Sequence, residues 1–88
     1  MNRSDLPTAR EMTVDLIAAI RELGGVATVR EIENAVAQRL GLTSEQLAIP
    51  HDRSRSEYQY RLAWTRSYAK KEGLLISVRR NHWSLPTS

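Results

Sequence analysis

Residues 56–85 read SEYQYRLAWTRSYAKKEGLLISVRRNHWSL, and the period of the apolar residues changes once within them. Up to Glu72 the apolar and aromatic residues recur at helical spacing, as a helix with one buried arc requires. Ser54 with Glu57 and Ser56 with Gln59 both have capping-box spacing, so either serine can start that helix. Gly73 stops it. Beyond the glycine, Leu74, Ile76 and Val78 alternate with Leu75, Ser77 and Arg79, the two-residue period of a strand. A tight turn around Arg80-Asn81 leads into a second strand, His82-Trp83-Ser84-Leu85, which Pro86 ends. The unit to be explained is a helix followed by a short basic hairpin.

Two more helices precede it. Ala9, Met12, Leu16, Ala19, Ile20 and Leu23 form one apolar stripe over residues 8–23, opened by a Thr8/Glu11 capping box and closed by Gly24-Gly25. Val26-Ala27 offers at most a very short strand. Thr28 and Glu31 cap a second helix that runs to about Leu40, with Val29, Ile32, Val36 and Leu40 inward and Gly41 as its stop. Residues 43–47 fit one helical turn closed by Pro50, and 51–56, HDRSRS, fit a polar loop. The order is helix, helix, short turn, helix, hairpin. It predicts an α+β chain, mostly α, with the winged helix-turn-helix arrangement: an arm over 1–7, then one domain over 8–86.

Composition narrows the function. Eighty-eight residues suffice for one core, and the absence of cysteine removes disulfides and thiolate metal sites. No apolar stretch approaches the ~20 residues of a membrane span, and the N-terminus has no signal-type apolar segment. A cytoplasmic, nucleoid-associated protein of prokaryotic type is the expectation, with no membrane partner. Charge is divided unevenly. Residues 1–50 hold five Lys/Arg against seven Asp/Glu, and residues 51–88 hold eight against three, a balance of +5. A basic half attached to a nearly neutral scaffold points to a polyanion, because clustered cations gain by releasing the counterions of nucleic acid.

Projected at about 100° per residue, residues 57–72 separate into two arcs. Tyr58, Leu62, Thr65, Tyr68 and Ala69 face inward, with Trp64 at the edge closing the core. Gln59, Tyr60, Ala63, Arg66, Ser67, Lys70 and Lys71 face outward. In helix-turn-helix relatives such a helix enters the major groove. Arg66, Gln59 and Tyr60 are the candidates for base edges, Ala63 for close approach, Ser67 for a hydroxyl contact, and Arg55 and Lys70 for phosphate, with Arg53 as a flanking cation. Arg79, Arg80, Asn81 and His82 form the hairpin tip, where two arginines suit a backbone or a narrow minor groove. Arg61 projects inward and is expected to form a salt bridge with an acid of the first or second helix. Trp83 is expected to anchor the hairpin.

No glycine-rich phosphate loop, paired-carboxylate motif or nucleophile with matched histidine is present, and His51 and His82 have no companions of metal-ligand spacing. Neither catalysis by this chain alone nor a cofactor is expected. The leading expectation is double-stranded DNA binding, with a methylated base as a narrower target. A stand-alone transcriptional regulator shares that chemistry. A protein-interaction or dimerisation module is the competing class, and composition leaves the oligomeric state open.

The chain also resembles the N-terminal domain of Mrr-type, modification-dependent restriction endonucleases, from about Leu6 to Leu85. The most specific segment is Tyr60 to Leu75, which is similar to that family's Arg-x-x-Trp-Ala-Arg-x-Tyr-Leu-Lys-Lys-Ala-Gly-Leu-Leu pattern. Gly24-Gly25, Arg30-Glu31-Ile32 and Arg79-Arg80 with Trp83 support it. The sequence departs from the pattern at Thr65, Ala69 and Glu72, changes that bear on packing. The resemblance implies a winged-helix module that targets a separate nuclease domain to DNA, often methylated DNA. The chain is then expected to be the recognition part of such a protein, or a stand-alone relative.

Overall fold

A computed structural model describes residues 3–86, with the side chain of Arg3 excepted. Met1 and Asn2 of the expected arm lie outside the described residues. After a 3-10 turn (Arg3–Asp5) come α1 (Thr13–Glu22), β1 (Val26–Thr28), α2 (Val29–Leu40), the one-turn α3 (Ser44–Leu47), α4 (Glu57–Lys71), β2 (Ile76–Arg79) and β3 (His82–Ser84). Three principal helices followed by a hairpin give the α+β winged-helix arrangement.

The helix starts follow from side-chain caps. Thr28 and Glu31 make a complete capping box on α2, and Ser56 and Gln59 make one on α4. Thr8 and Glu11 also bond reciprocally, at 2.9 and 3.2 Å. Regular helix nevertheless begins only at Thr13, because the intervening turn mixes spacings. The Met12 N–H reaches the Thr8 carbonyl, whereas that of Thr13 reaches only Arg10. At the far end of α1, Gly24 and Gly25 adopt φ of 98° and 96°, a region hostile to side chains, and the Gly25 N–H turns back onto the Ile20 carbonyl at 2.8 Å.

That reversal delivers β1 to the hairpin. The sheet is antiparallel in the order β1-β3-β2, so the hairpin's second strand lies at its centre. Ala27 and Ser77 flank Trp83. Because alternate residues face opposite sides, the parity that turns Trp83 and the buried Ala27 toward the core turns Ile76 outward. Leu74, Ile76 and Val78 are accordingly exposed, and Leu75 is the buried member of the run. The register slips between Ser77 and Arg79, next to the turn. Two bonds sew the hairpin to the helices, from Leu85 N–H to the Gly25 carbonyl and from Val29 N–H to the Asn81 carbonyl.

The core consists of Met12, Leu16, Ala19 and Ile20 of the first helical segment, Ile32 and Val36 of α2, Tyr58, Leu62 and Ala69 of α4, and Ala27 and Leu75. Leu23 lies at the exposed end of its stripe. Thr65 is wholly buried, and its hydroxyl donates to the Ala9 carbonyl at 2.7 Å, with the Arg61 carbonyl at 3.0 Å as the alternative acceptor. This hydroxyl fastens the irregular turn before α1 to the middle of α4. Thr65→Val keeps the shape and removes the donor from the partly buried Ala9 carbonyl. It should lower stability by about 1–2 kcal/mol, seen as an earlier urea midpoint at unchanged slope.

Candidate nucleic-acid interface

The loop before α4 is ordered by its own polar groups. The Asp52 carboxylate accepts from the backbone N–H of Ser54 and Arg55 and from the Ser54 hydroxyl, at 2.8–3.0 Å. Those bonds, the Ser54 backbone first, hold its pKa below the usual carboxylate value. Pro50 then bridges to Ser56, whose hydroxyl opens α4. Of the two caps the sequence allows, Ser56/Gln59 forms. Ser54 is taken by the Asp52 turn, and Glu57 is buried elsewhere.

Glu57 is 6 % exposed and joins three segments. Its Oε1 lies 3.0 Å from His51 Nδ1, and its Oε2 accepts from Arg61 Nε at 2.7 Å. Arg61 Nη1 also donates to the carbonyls of Leu6 and Pro7, at 3.0 and 3.1 Å. The salt bridge expected between Arg61 and an acid of the first or second helix is thus made within α4 itself. A carboxylate four residues earlier lies on the same helical face, and the N-terminal carbonyls take the remaining reach. His51 continues the cluster outward by stacking on Tyr60, with centroids 3.6 Å apart and planes 10° from parallel.

Residues 57, 58, 62, 65 and 69 are the buried positions of α4. The opposite ridge carries Tyr60, Ala63 and Ser67, flanked by Trp64, Lys70 and Lys71. Ser67, Lys70 and Lys71 are exposed, and Ala63 and Tyr60 are half-buried. Arg55 adds a cation beside the ridge, with its guanidinium carbon 5.3 Å from the Tyr60 centroid. Arg53 is exposed in the same loop. Trp64, expected to close the core, is 52 % exposed, and Tyr68 is 44 % exposed. With Ala9, Glu57 and Arg61 they line an open groove of about 470 Å³. The buried arc is completed by Glu57 and Tyr58, which leaves Trp64 rotated onto the surface.

Two expected base readers are otherwise engaged. Gln59 is half-buried, its Oε1 in the capping box and its Nε2 3.5 Å from Glu33 of α2. Arg66 lies over Trp83, with 5.8 Å between its guanidinium carbon and the indole centroid. Its Nε and Nη1 are closed to solvent and, among the described residues, have no hydrogen-bond partner. Burial lowers its pKa, against the opposing effect of Glu33. Two unsatisfied donors cost about 1–3 kcal/mol each, more than the ~2 kcal/mol a desolvated cation–π contact supplies.

At the hairpin tip Arg79, Arg80 and Asn81 are exposed. Asn81 takes φ of 62°, which asparagine tolerates, and so closes the turn. His82 Nδ1 lies 2.8 Å from the Arg80 carbonyl, which can only accept, so this nitrogen carries the proton. Nε2 then faces Arg79 Nη2 at 3.4 Å. Among the described residues, none of Lys70, Lys71, Arg79 and Arg80 pairs with a carboxylate, whereas Arg39 holds both Asp15 and Glu22. The profile of the family described as the Mrr N-terminal domain matches residues 10–88.

The chain belongs to the Mrr N-terminal domain family.

This is an N-terminal domain family associated with restriction systems. No curated protein and no solved structure matches the chain significantly. The Mrr N-terminal domain match begins at Arg10, so the Leu6 and Pro7 carbonyls that Arg61 binds precede it. Among the described residues no group of three or more His, Asp or Glu is placed to hold a metal ion, and no helix is long and apolar enough to cross a membrane.

Sequence reasoning missed Glu57 and Glu33. The four-residue spacing of Glu57 and Arg61 was the available signal for the first. No local pattern marks the second, which meets α4 only in the fold. Glu57→Ala strands the partly buried Arg61 and should cost about 3 kcal/mol, measured by denaturant unfolding. Glu57→Gln, which can still accept from Arg61, should cost less than half as much.

Proposed function

We propose that this Mrr N-terminal domain binds double-stranded DNA and targets an associated nuclease domain to it. The outward ridge of α4 enters the major groove, which is wide enough to admit a helix. Tyr60, Ala63 and Ser67 meet base edges there, the last two small enough for close approach. Arg55, Lys70 and the hairpin arginines Arg79 and Arg80 hold phosphates, while Asn81 and His82 shape the tip that presents them. The observation that supports this reading is the grouping of Lys70 and Lys71 at the end of α4 with Arg79 and Arg80 at the hairpin tip, all exposed and without carboxylate partners among the described residues. Cations so placed are suited to replacing the counterions of a duplex.

Fluorescence anisotropy with a short labelled duplex tests it. Affinity should fall steeply with salt, and Arg79→Ala/Arg80→Ala should flatten the log–log slope by about 2. Binding that is absent at low salt, or insensitive to salt, would refute the reading.

Recognition of a methylated base is the narrower form of the proposal. The exposed Trp64 ring, with the part of Tyr60 that His51 does not cover, offers apolar area to a methyl group beside the ridge. A matched pair of duplexes, modified and unmodified, should then differ in affinity by at least about fivefold, roughly 1 kcal/mol, and the difference should vanish in Tyr60→Ala/Trp64→Ala. Equal affinities would remove this form and leave duplex binding standing.

The exposure of Trp64 and Tyr68 favours a second reading, a protein-docking module. A stable dimer or complex that covers both rings, together with no salt-sensitive capture by DNA, would put that reading in its place.

A further inference from the structure

Arg66, like Arg61, is a cation of α4 that the proposed interface leaves unused. A base-reading arginine keeps its donors in water until the duplex arrives, yet two donors of Arg66 are folded away without partners among the described residues. The surface they meet is the indole of Trp83. Trp83 lies in the central strand, and the next pair along the ladder is His82 with Arg79, beside the turn that carries Arg80.

We infer that Arg66 is a wing-positioning residue: its guanidinium, laid on the Trp83 indole, ties the β2–β3 hairpin to α4 and sets where Arg79 and Arg80 stand. A flat, delocalised cation can hold an aromatic face without hydrogen bonds, so the contact with the indole offsets part of the cost of the two unpartnered nitrogens. Glu33 of α2 favours the charged form. The geometry stands by itself, and its consequence for DNA rests on the binding reading given above.

Amide hydrogen exchange of the free domain, followed over residues 76–84, provides the test. In Arg66→Gln the hairpin should exchange about tenfold faster while α1 and α2 keep their protection. Arg66→Lys, which retains charge but not the flat face, should fall between Gln and wild type. Trp83→Phe, which retains a π face, should stay within about threefold of wild type. If Arg66→Gln loses protection throughout, Arg66→Lys and Trp83→Phe decide the matter by the same ranking.

A DNA arm separates this role from base reading. Arg66→Gln alone should weaken duplex binding several-fold. Added to Arg79→Ala/Arg80→Ala it should cost less than a further twofold, because it acts through those arginines. Wild-type hairpin exchange in Arg66→Gln, or a fully additive loss in the combined variant, overturns the inference. A wild-type domain that does not bind duplex overturns the binding reading instead, and the exchange ranking alone then decides the role of Arg66.

Discussion

Trp83 stands between Ala27 on one neighbouring strand and Ser77 on the other, and most of the remaining architecture is referred to that position. Its side chain packs on the helical core from the middle of the sheet. A one-residue slip of β3 would turn the indole to solvent and bring His82 or Ser84 inward. The outward placement of Ile76, the exposure of the hairpin tip and the contact with Arg66 all depend on that register. The register is held from outside the hairpin as well, by the Gly25 carbonyl accepting from Leu85 N–H at one end and Val29 N–H donating to the Asn81 carbonyl at the other. A hairpin of three- and four-residue strands would be marginal alone. Here β1 and the helices complete it.

Residues of one chemical type on α4 have different tasks. Arg61 neutralises Glu57 and gathers the carbonyls of residues 6 and 7, and Arg66 is laid against the sheet. Lys70 and Lys71 remain in solvent, where cations near a helix C-terminus also favour the helix itself. What separates these groups is angular position. Residues beside the buried arc meet neighbouring elements, and residues opposite it stay on the outer surface. The same geometry puts two tyrosines in opposite roles. Tyr58 is buried, with its hydroxyl on the Glu33 carbonyl at 2.6 Å and its pKa driven upward by desolvation. Tyr60, two residues on, lies under His51 on the outer side.

Much of this was legible in the sequence because its causes are local. Thr28, Ser56 and Gly24-Gly25 punctuate the helices through bonds spanning three to five residues, and Arg80-Asn81 closes a turn by its own backbone preferences. The pairing of Val26–Thr28 with β3 was nearly invisible, since its partners are more than fifty residues away and three residues carry little pattern. The outward arc of α4 was read correctly at Ser67 and Lys70. Projection alone could not show that long side chains on its margin reach back. Gln59 is occupied by its cap, Arg66 reaches Trp83, and Trp64 stands out because Glu57 completes the buried arc.

The central claim is that the outer ridge of α4 and the hairpin tip together form one duplex-binding face. An NMR titration of the isotope-labelled domain with a short duplex tests it most directly. Shift changes should concentrate at Tyr60, Ala63, Ser67 and Lys70 and at residues 79–82, with the exposed side of α1 silent. Changes confined to the groove beside Trp64 and Tyr68, or none at low salt, would contradict it.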